Sequence, residues 1–223
     1  DQGWGDAKFA GHPYVKTPNL DRLAKEGTWL RQFYVAATVC SPSRAAFMTG
    51  QVPARFGIHG HFADHASNAS RSMPDWLDPE VTTLPDLLKQ AGYASAMIGK
   101  WGQLTPSGDP SDWGFDHELY YKGSGMYWNS KVAKPMSEGG EVRGDPDTYV
   151  LDGKTVSVKD DEYIPDLLHK DATAWMEAQK GRPFFLYYSL SQVHGEILPT
   201  PDSAPAPKGE SNAQRAQRLL ADN

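Results

Sequence analysis

Leu84, Leu87, Leu88 and Ala91 recur at i, i+3, i+4 and i+7, the cleanest amphipathic pattern in the chain, and predict a helix between Thr83 and Gly92. A second capped helix is expected over 18–26, with Thr17 as N-cap, Pro18 at the first position and Gly27 as the stop. Its apolar stripe is Leu20, Leu23 and Ala24. A longer helix is expected over 160–180, with Pro165 near its start and Ile164, Leu167, Leu168, Ala174, Trp175 and Ala178 turned inward. Residues 28–37 are β-branched and aromatic (Trp29, Phe33, Tyr34, Val35), a strand pattern. A short buried strand is expected over 93–98 and a fully buried one over 183–190, bounded by Gly181 and Pro183. Strands alternating with helices predict an α/β fold, a largely parallel sheet between helices, with its site at the carboxyl ends of the strands. Residues 51–79 are loop-like, 198–207 form a proline-rich surface loop, and 211–223 restart a helix. The span 117–160 reads as an irregular insertion, and Tyr120, Tyr121, Tyr127 and Trp128 within it either face a sugar or form a small satellite core.

Composition narrows the classes. A chain of 223 residues buries one sizeable core, or a large domain and part of another. With 39% hydrophobic residues and no apolar run near membrane-spanning length, a membrane span is not expected. A net charge of −6 with no basic block argues against nucleic acid as a partner. The single cysteine excludes an intrachain disulfide and leaves the redox compartment unread. Asn68-Ala69-Ser70 matches a glycosylation triplet, a pattern common by chance. The chain opens at Asp1 with no strand before it and stops at Asn223 in a helical pattern, so both ends look cut and a fragment of a longer protein is expected.

The candidate chemistry centres on residues 38–50. Pro42 suits a first helical turn and Gly50 a helix stop. Cys40 then sits where backbone N–H groups point outward and the helix dipole favours an anion. Arg44, one turn further in, adds a fork of donors suited to a tetrahedral oxyanion. The plain alternative for a lone cysteine is a small buried hydrophobe. Lys100 follows the 93–98 strand, well placed for an anion in an open α/β sheet, with a solvated lysine as the alternative. His194 leaves the carboxyl end of the 183–190 strand, where a histidine is either structural or catalytic. Asp1 and Asp6 flank a glycine-rich turn, by itself a common pattern. His59, His61 and His65 lie close together but lack a fourth zinc ligand and any cysteine partner. Substrate contact or plain surface is therefore expected for His59 and His61.

Cys40-Ser41-Pro42-Ser43-Arg44 followed by Thr49-Gly50 resembles the sulfatase signature C-x-P-S-R-x-x-x-x-T-G at every fixed position. T-P-N-L-D-x-L-A-x-E-G from Thr17, T-L-P-x-L-L-K-x-A-G-Y-x-x-x-x-I-G-K-W from Thr83, Gly114-Phe115-Asp116, and F-F-L-Y-x-S-x-x-x-x-H ending at His194 extend the likeness through almost the whole chain. It is loosest between 117 and 160. The chain is thus similar to the formylglycine-dependent, arylsulfatase-like enzymes of the alkaline phosphatase superfamily. The resemblance implies part of one catalytic domain, without its first strand and its C-terminal part. It also implies a sulfuric ester hydrolase in which Cys40 is oxidised to formylglycine (3-oxoalanine) by a formylglycine-generating or anaerobic sulfatase-maturating enzyme. One hydroxyl of the hydrate attacks sulfur, calcium and Lys100 hold the sulfate oxygens, His194 protonates the departing alcohol, and the second hydroxyl expels sulfate. Asp1 matches one of the calcium carboxylates. Asp222-Asn223 is not taken for the family's second ligand pair, because Arg215 to Leu220 reads helical. The implied substrate is a sulfated small molecule or glycan, and the implied location secreted, periplasmic or lysosomal. Gly102 departs from the pattern: many members carry a histidine there that bonds the formylglycine hydroxyl and the sulfate. Gln103 beside it offers a hydrogen bond, and so a substrate contact, but cannot shuttle a proton near neutral pH. The alternatives are a phosphodiesterase or phosphonate hydrolase of the same superfamily, and a non-catalytic protein that binds sulfated glycan.

Overall fold

The strand expected over 93–98 is the centre of the sheet. The computed structural model describes residues 3–102, 109–122, 127–136, 145–190, 192–194, 197–211, 214–215 and 217–219. Within them β1 (Ala94–Lys100) is buried at every position, and the strand order is β4-β3-β2-β1-β5. β1 pairs in parallel with β2 (His117–Tyr121) on one side and β5 (Phe184–Ser189) on the other, with Ala96 opposite His117 and Ala94 opposite Phe184. β3 (Thr148–Leu151) and β4 (Lys154–Ser157) form a hairpin that adds antiparallel strands at the far edge of β2. The sheet is mixed, and only β2, β1 and β5 are parallel.

Strand alternation assigns the two faces. Met97, Phe185 and Tyr187 pack with Ala45 and Met48 of α2 (Cys40–Thr49) and with Trp101, Trp113 and Phe115. Ile98, Leu186 and Tyr188 pack on Ile164, Leu168 and Ala172 of α6 (Ile164–Ala178). A third cluster joins Tyr127, Ala133, Tyr163 and Leu198, with Trp128 against it. Ala133 belongs to α5 (Ser130–Met136). The span 117–160, expected as an irregular insertion, thus contributes β2, β3, β4 and α5. The aromatics split between the two options open for them. Tyr127 and Trp128 belong to the satellite core, and Tyr120 and Tyr121 to the two main clusters.

The capped helices stand at α1 (Pro18–Glu26) and α4 (Leu84–Gln90). α4 begins as its sequence predicts, with the Asp86 carboxylate accepting from the Thr83 N–H at 2.8 Å, a capping interaction. α3 (His65–Ser70) is a short addition that the loop-like composition of 51–79 did not announce.

Several expectations are corrected. Residues 28–37 form no strand, and Leu30, Phe33, Tyr34 and Val35 lie exposed. β propensity reports fit to a pleated surface, and this segment pairs with none of the described strands. The α1 stripe is not buried: Leu20 and Leu23 line an apolar groove with Trp4, Phe9 and Trp29. α6 starts at Ile164 rather than 160, and its buried stripe is Ile164, Leu168 and Ala172, whereas Ala174 and Ala178 are exposed. β5 is the edge strand of the described sheet and is only partly covered, with Phe184 exposed. The glycosylation triplet is closed off. Asn68 is fully buried, and its amide donates to Ala63 O at 2.8 Å and to Asp75 Oδ1 at 2.9 Å.

Candidate active site

The site begins where β1 ends. Gly99 has φ +108, and a Cβ there would lie 1.9 Å from the Ser189 carbonyl oxygen. Only glycine allows β1 and β5 to close at this level. The next residue, Lys100, is 4% exposed. Among the described residues no acceptor or carboxylate is hydrogen-bonded or ion-paired to its ammonium. Burial pushes its pKa below the ordinary lysine value, the nearby Cys40 side chain pulls it back up, and the Arg44 cation lowers it again.

α2 supplies the facing wall. Val39 is the extended N-cap and Cys40 the first helical residue, half-buried, while Ser41, Pro42, Ala45 and Met48 are buried. The two serines of the segment tie down its flanks. Ser41 Oγ accepts from Phe62 N at 3.1 Å, and Ser43 Oγ donates to Ala37 O. Gly50, in the left-handed region at φ 65, ends the helix as expected.

Arg44 links this helix to the sheet. Its Nη1 donates to Lys100 O at 2.7 Å, to Tyr187 Oη at 2.8 Å and to Ser189 Oγ at 2.6 Å. The guanidinium carbon also lies 5.9 Å from the centre of the Tyr187 ring, within cation–π range. All three contacts leave from one nitrogen, whose two hydrogens are shared among them, and among the described residues Nε and Nη2 have no partner. Tyr187 and Ser189 were not singled out from the sequence. Their signal was the period of two along β5, which puts Phe185, Tyr187 and Ser189 on the face toward α2; the continuous apolar run hid it.

Cys40, Arg44, Lys100 and His194 line one cavity of about 370 Å³, with Phe47 and Tyr187 among its other walls. His194 is half-buried, and its backbone carbonyl accepts from Tyr127 Oη at 3.1 Å. His59 and His61 are exposed and do not line this cavity. His65, exposed beside them, pairs with Asp75 at 2.6 Å, which raises the imidazole pKa. Asp1 and Gln103 lie outside the described residues. Among the described residues no group of three His, Cys, Asp or Glu side chains is placed to hold a metal ion. Neither calcium nor zinc finds a ligand set there.

Gly102 is filled from outside. It has φ +69, and a Cβ on it would lie 2.9 Å from Arg44 Cδ and 3.2 Å from Arg44 Nε. The arginine stem occupies the space that a side chain at 102 needs. Gly102→His should therefore displace Arg44 from its three anchors rather than add a ligand. A melting temperature lowered by a few degrees is expected for the variant, and an unchanged melt would show that the space is free.

A buried lysine, an arginine fork and a helix N-terminus around one cavity at the carboxyl ends of parallel strands define an anion-handling α/β protein. The sulfatase family model matches residues 1–220, and the chain belongs to that family. It is similar to N-acetylgalactosamine-6-sulfatase of Mus musculus, 35% identical over 209 residues, or 88% of this chain and 39% of that protein. Arylsulfatase G of Rattus norvegicus is 34% identical over 228 residues, or 92% of this chain and 41% of that protein. Among solved structures, Ps i-CgsB in complex with k-i-k-neocarrahexaose superposes with a TM-score of 0.78 at 27% identity, covering 100% of this chain and 50% of that one. A protein in complex with its substrate D-glucosamine-2-N,6-O-disulfate gives a TM-score of 0.67 at 27% identity, covering 93% and 37%. The chain spans about two-fifths of the length of these curated relatives. No helix among the described residues is long and apolar enough to cross a membrane.

Proposed function

We propose that the protein of which this chain is part hydrolyses a sulfate ester of a carbohydrate, with Cys40, converted to formylglycine, at its reacting centre. The observation that carries the reading is Lys100: a buried ammonium, 4% exposed, beside Cys40 and without an anionic partner among the described residues. A buried unpaired charge costs several kcal/mol, which an anion entering the cavity offsets. The sugar is suggested by relatives named for N-acetylgalactosamine-6-sulfate and D-glucosamine-2-N,6-O-disulfate chemistry.

Cys40 fits the modification in being half-buried at the first turn of α2 and lining the cavity, where a modifying enzyme's product would face the substrate. Formylglycine supplies, as its hydrate, a hydroxyl nucleophile toward sulfur. The chain's own residues do the rest. Lys100 and the free Nε and Nη2 of Arg44 bind sulfate oxygens, while the Nη1 bonds keep the guanidinium plane fixed relative to β1 and β5. Phe47 and Tyr187 wall the cavity, and Tyr187 also holds Arg44. His194 holds a proton for the leaving-group oxygen. No step is assigned to calcium, for which the described residues provide no ligand set.

The test is turnover of an aryl sulfate against an aryl phosphodiester by the full-length protein made together with a maturating enzyme. The sulfate should be preferred, and preference for the phosphodiester would overturn the reading. Lys100 also predicts a pH dependence. Its lowered pKa means that the cation is lost at a lower pH than for an ordinary lysine, so kcat/KM should fall on the alkaline side earlier than a free lysine would allow. Arginine stays charged, so Lys100→Arg should move that limb upward at a reduced plateau. An unmoved limb assigns it to another group.

A further inference from the structure

The satellite cluster lies behind the cavity and grips the backbone that carries His194. Tyr127 is 4% exposed and packs among Ala133, Tyr163 and Leu198. Its own carbonyl accepts from Ile164 N at 2.9 Å, at the first residue of α6, so its backbone is pinned to a rigid element. Its hydroxyl donates to the His194 carbonyl at 3.1 Å. Two further bonds from the same cluster bracket that contact. Tyr163 Oη accepts from Gln192 Nε2 at 3.3 Å, and Trp128 Nε1 donates to Pro199 O at 2.8 Å. The loop is thus held before, at and after His194, while the histidine itself lines the cavity with Cys40 and Lys100. Burial raises the Tyr127 phenol above its ordinary value, so the group remains a donor throughout the working pH range.

We infer that Tyr127 is a positioning residue for the reaction: its hydroxyl fixes the His194 carbonyl and with it the distance from the imidazole to the leaving-group oxygen. This rests on the reading of His194 as proton donor. A hydroxyl that served only packing would leave the chemistry indifferent to its loss, because phenylalanine preserves the ring and its contacts. One that sets the imidazole's reach matters only when the leaving group needs the proton.

The experiment uses the full-length protein carrying formylglycine, with Tyr127→Phe, His194→Ala and the double variant each assayed on an alkyl sulfate and on an activated aryl sulfate. Tyr127→Phe should lower kcat on the alkyl sulfate by about tenfold with KM little changed, and on the aryl sulfate by less than about twofold. In the His194→Ala background it should cost nothing further on either substrate, because it acts through that imidazole. Equal losses on both substrates, no loss, or a full additional loss in the double variant each overturn the assignment. If His194→Ala shows the leaving-group dependence and Tyr127→Phe does not, only the role of Tyr127 falls. If His194→Ala shows none, the reading of His194 fails and the role of Tyr127 fails with it.

Discussion

Cys40→Ala should abolish sulfate ester turnover and leave the fold standing. The two halves of that expectation have separate causes. Cys40 is half-buried, with Ser41 Oγ 3.9 Å from its Sγ. Losing one sulfur atom from such a position costs about 1 kcal/mol or less of stability. α2 is anchored elsewhere, through buried Ser41, Pro42, Ala45 and Met48 and through the Arg44 bonds to β1 and β5. The rate, by contrast, depends in the proposed mechanism on the nucleophile that Cys40 furnishes, and loss of a covalent nucleophile typically costs about 10⁶-fold in kcat. The measurement pairs turnover and a thermal melt of the variant with the mass of the Cys40 peptide from the unmutated protein. An active protein whose peptide still carries a thiol would remove the basis of the mechanism, and a variant that retains turnover would do the same.

How much of the fold the residues announce depends on whether a segment's partner lies within the chain. β1 is flanked by β2 and β5 and covered on both faces, and its boundaries fall close to the sequence expectation. α4 and α2 carry their own stop and start signals, in Thr83, Asp86 and Gly50, which act over one turn and need nothing from elsewhere. Residues 28–37 and the stripe of α1 have strong apolar patterns but stay largely exposed, Leu20, Leu23 and Trp29 meeting Trp4 and Phe9 in an open groove, so the pattern predicts a surface to be covered rather than an element. The hairpin β3–β4 was unreadable for the opposite reason. Its strands are four residues each, too short to establish a period, and Tyr149 and Val150 are buried in separate clusters on opposite faces, so no apolar–polar alternation marks them.

Motif positions announced the residues that gather around the cavity, and contacts made through other residues were not announced. Lys100 and His194 lie far along the chain from Cys40 and Arg44 on α2, yet the rule that strand carboxyl ends gather a site brings them to one cavity. Arg44 was expected as an oxyanion donor alone; the structure adds a tether, with Nη1 spent on Lys100 O, Tyr187 Oη and Ser189 Oγ. Position 102 was noticed only as an absent histidine. Its physical content is that the arginine stem lies where a Cβ would be, a relation between residues that no linear pattern carries. His59 and His61 were drawn toward the site by following α2 in sequence, but the turns after Gly50 carry them into solvent.

His194→Ala should separate substrates by their leaving groups. An alkyl alcohol departs poorly as an alkoxide, so its sulfur–oxygen bond breaks only as a proton arrives; an activated phenol departs unaided. Loss of a positioned general acid costs about 10²–10⁴-fold, and that loss should fall on the alkyl sulfate while the activated aryl sulfate is nearly spared. Lys100 provides the internal contrast. It is buried beside Cys40, and in the proposed mechanism its charge meets the sulfate group, which both substrates share, so Lys100→Ala should slow the two alike. A His194 variant that slows both substrates alike would show that the imidazole holds the sulfate rather than the departing oxygen. A Lys100 variant that spares the aryl sulfate would place the leaving-group role on the lysine instead. The pair of ratios thus assigns each residue to one end of the breaking bond, and neither assignment borrows from the other.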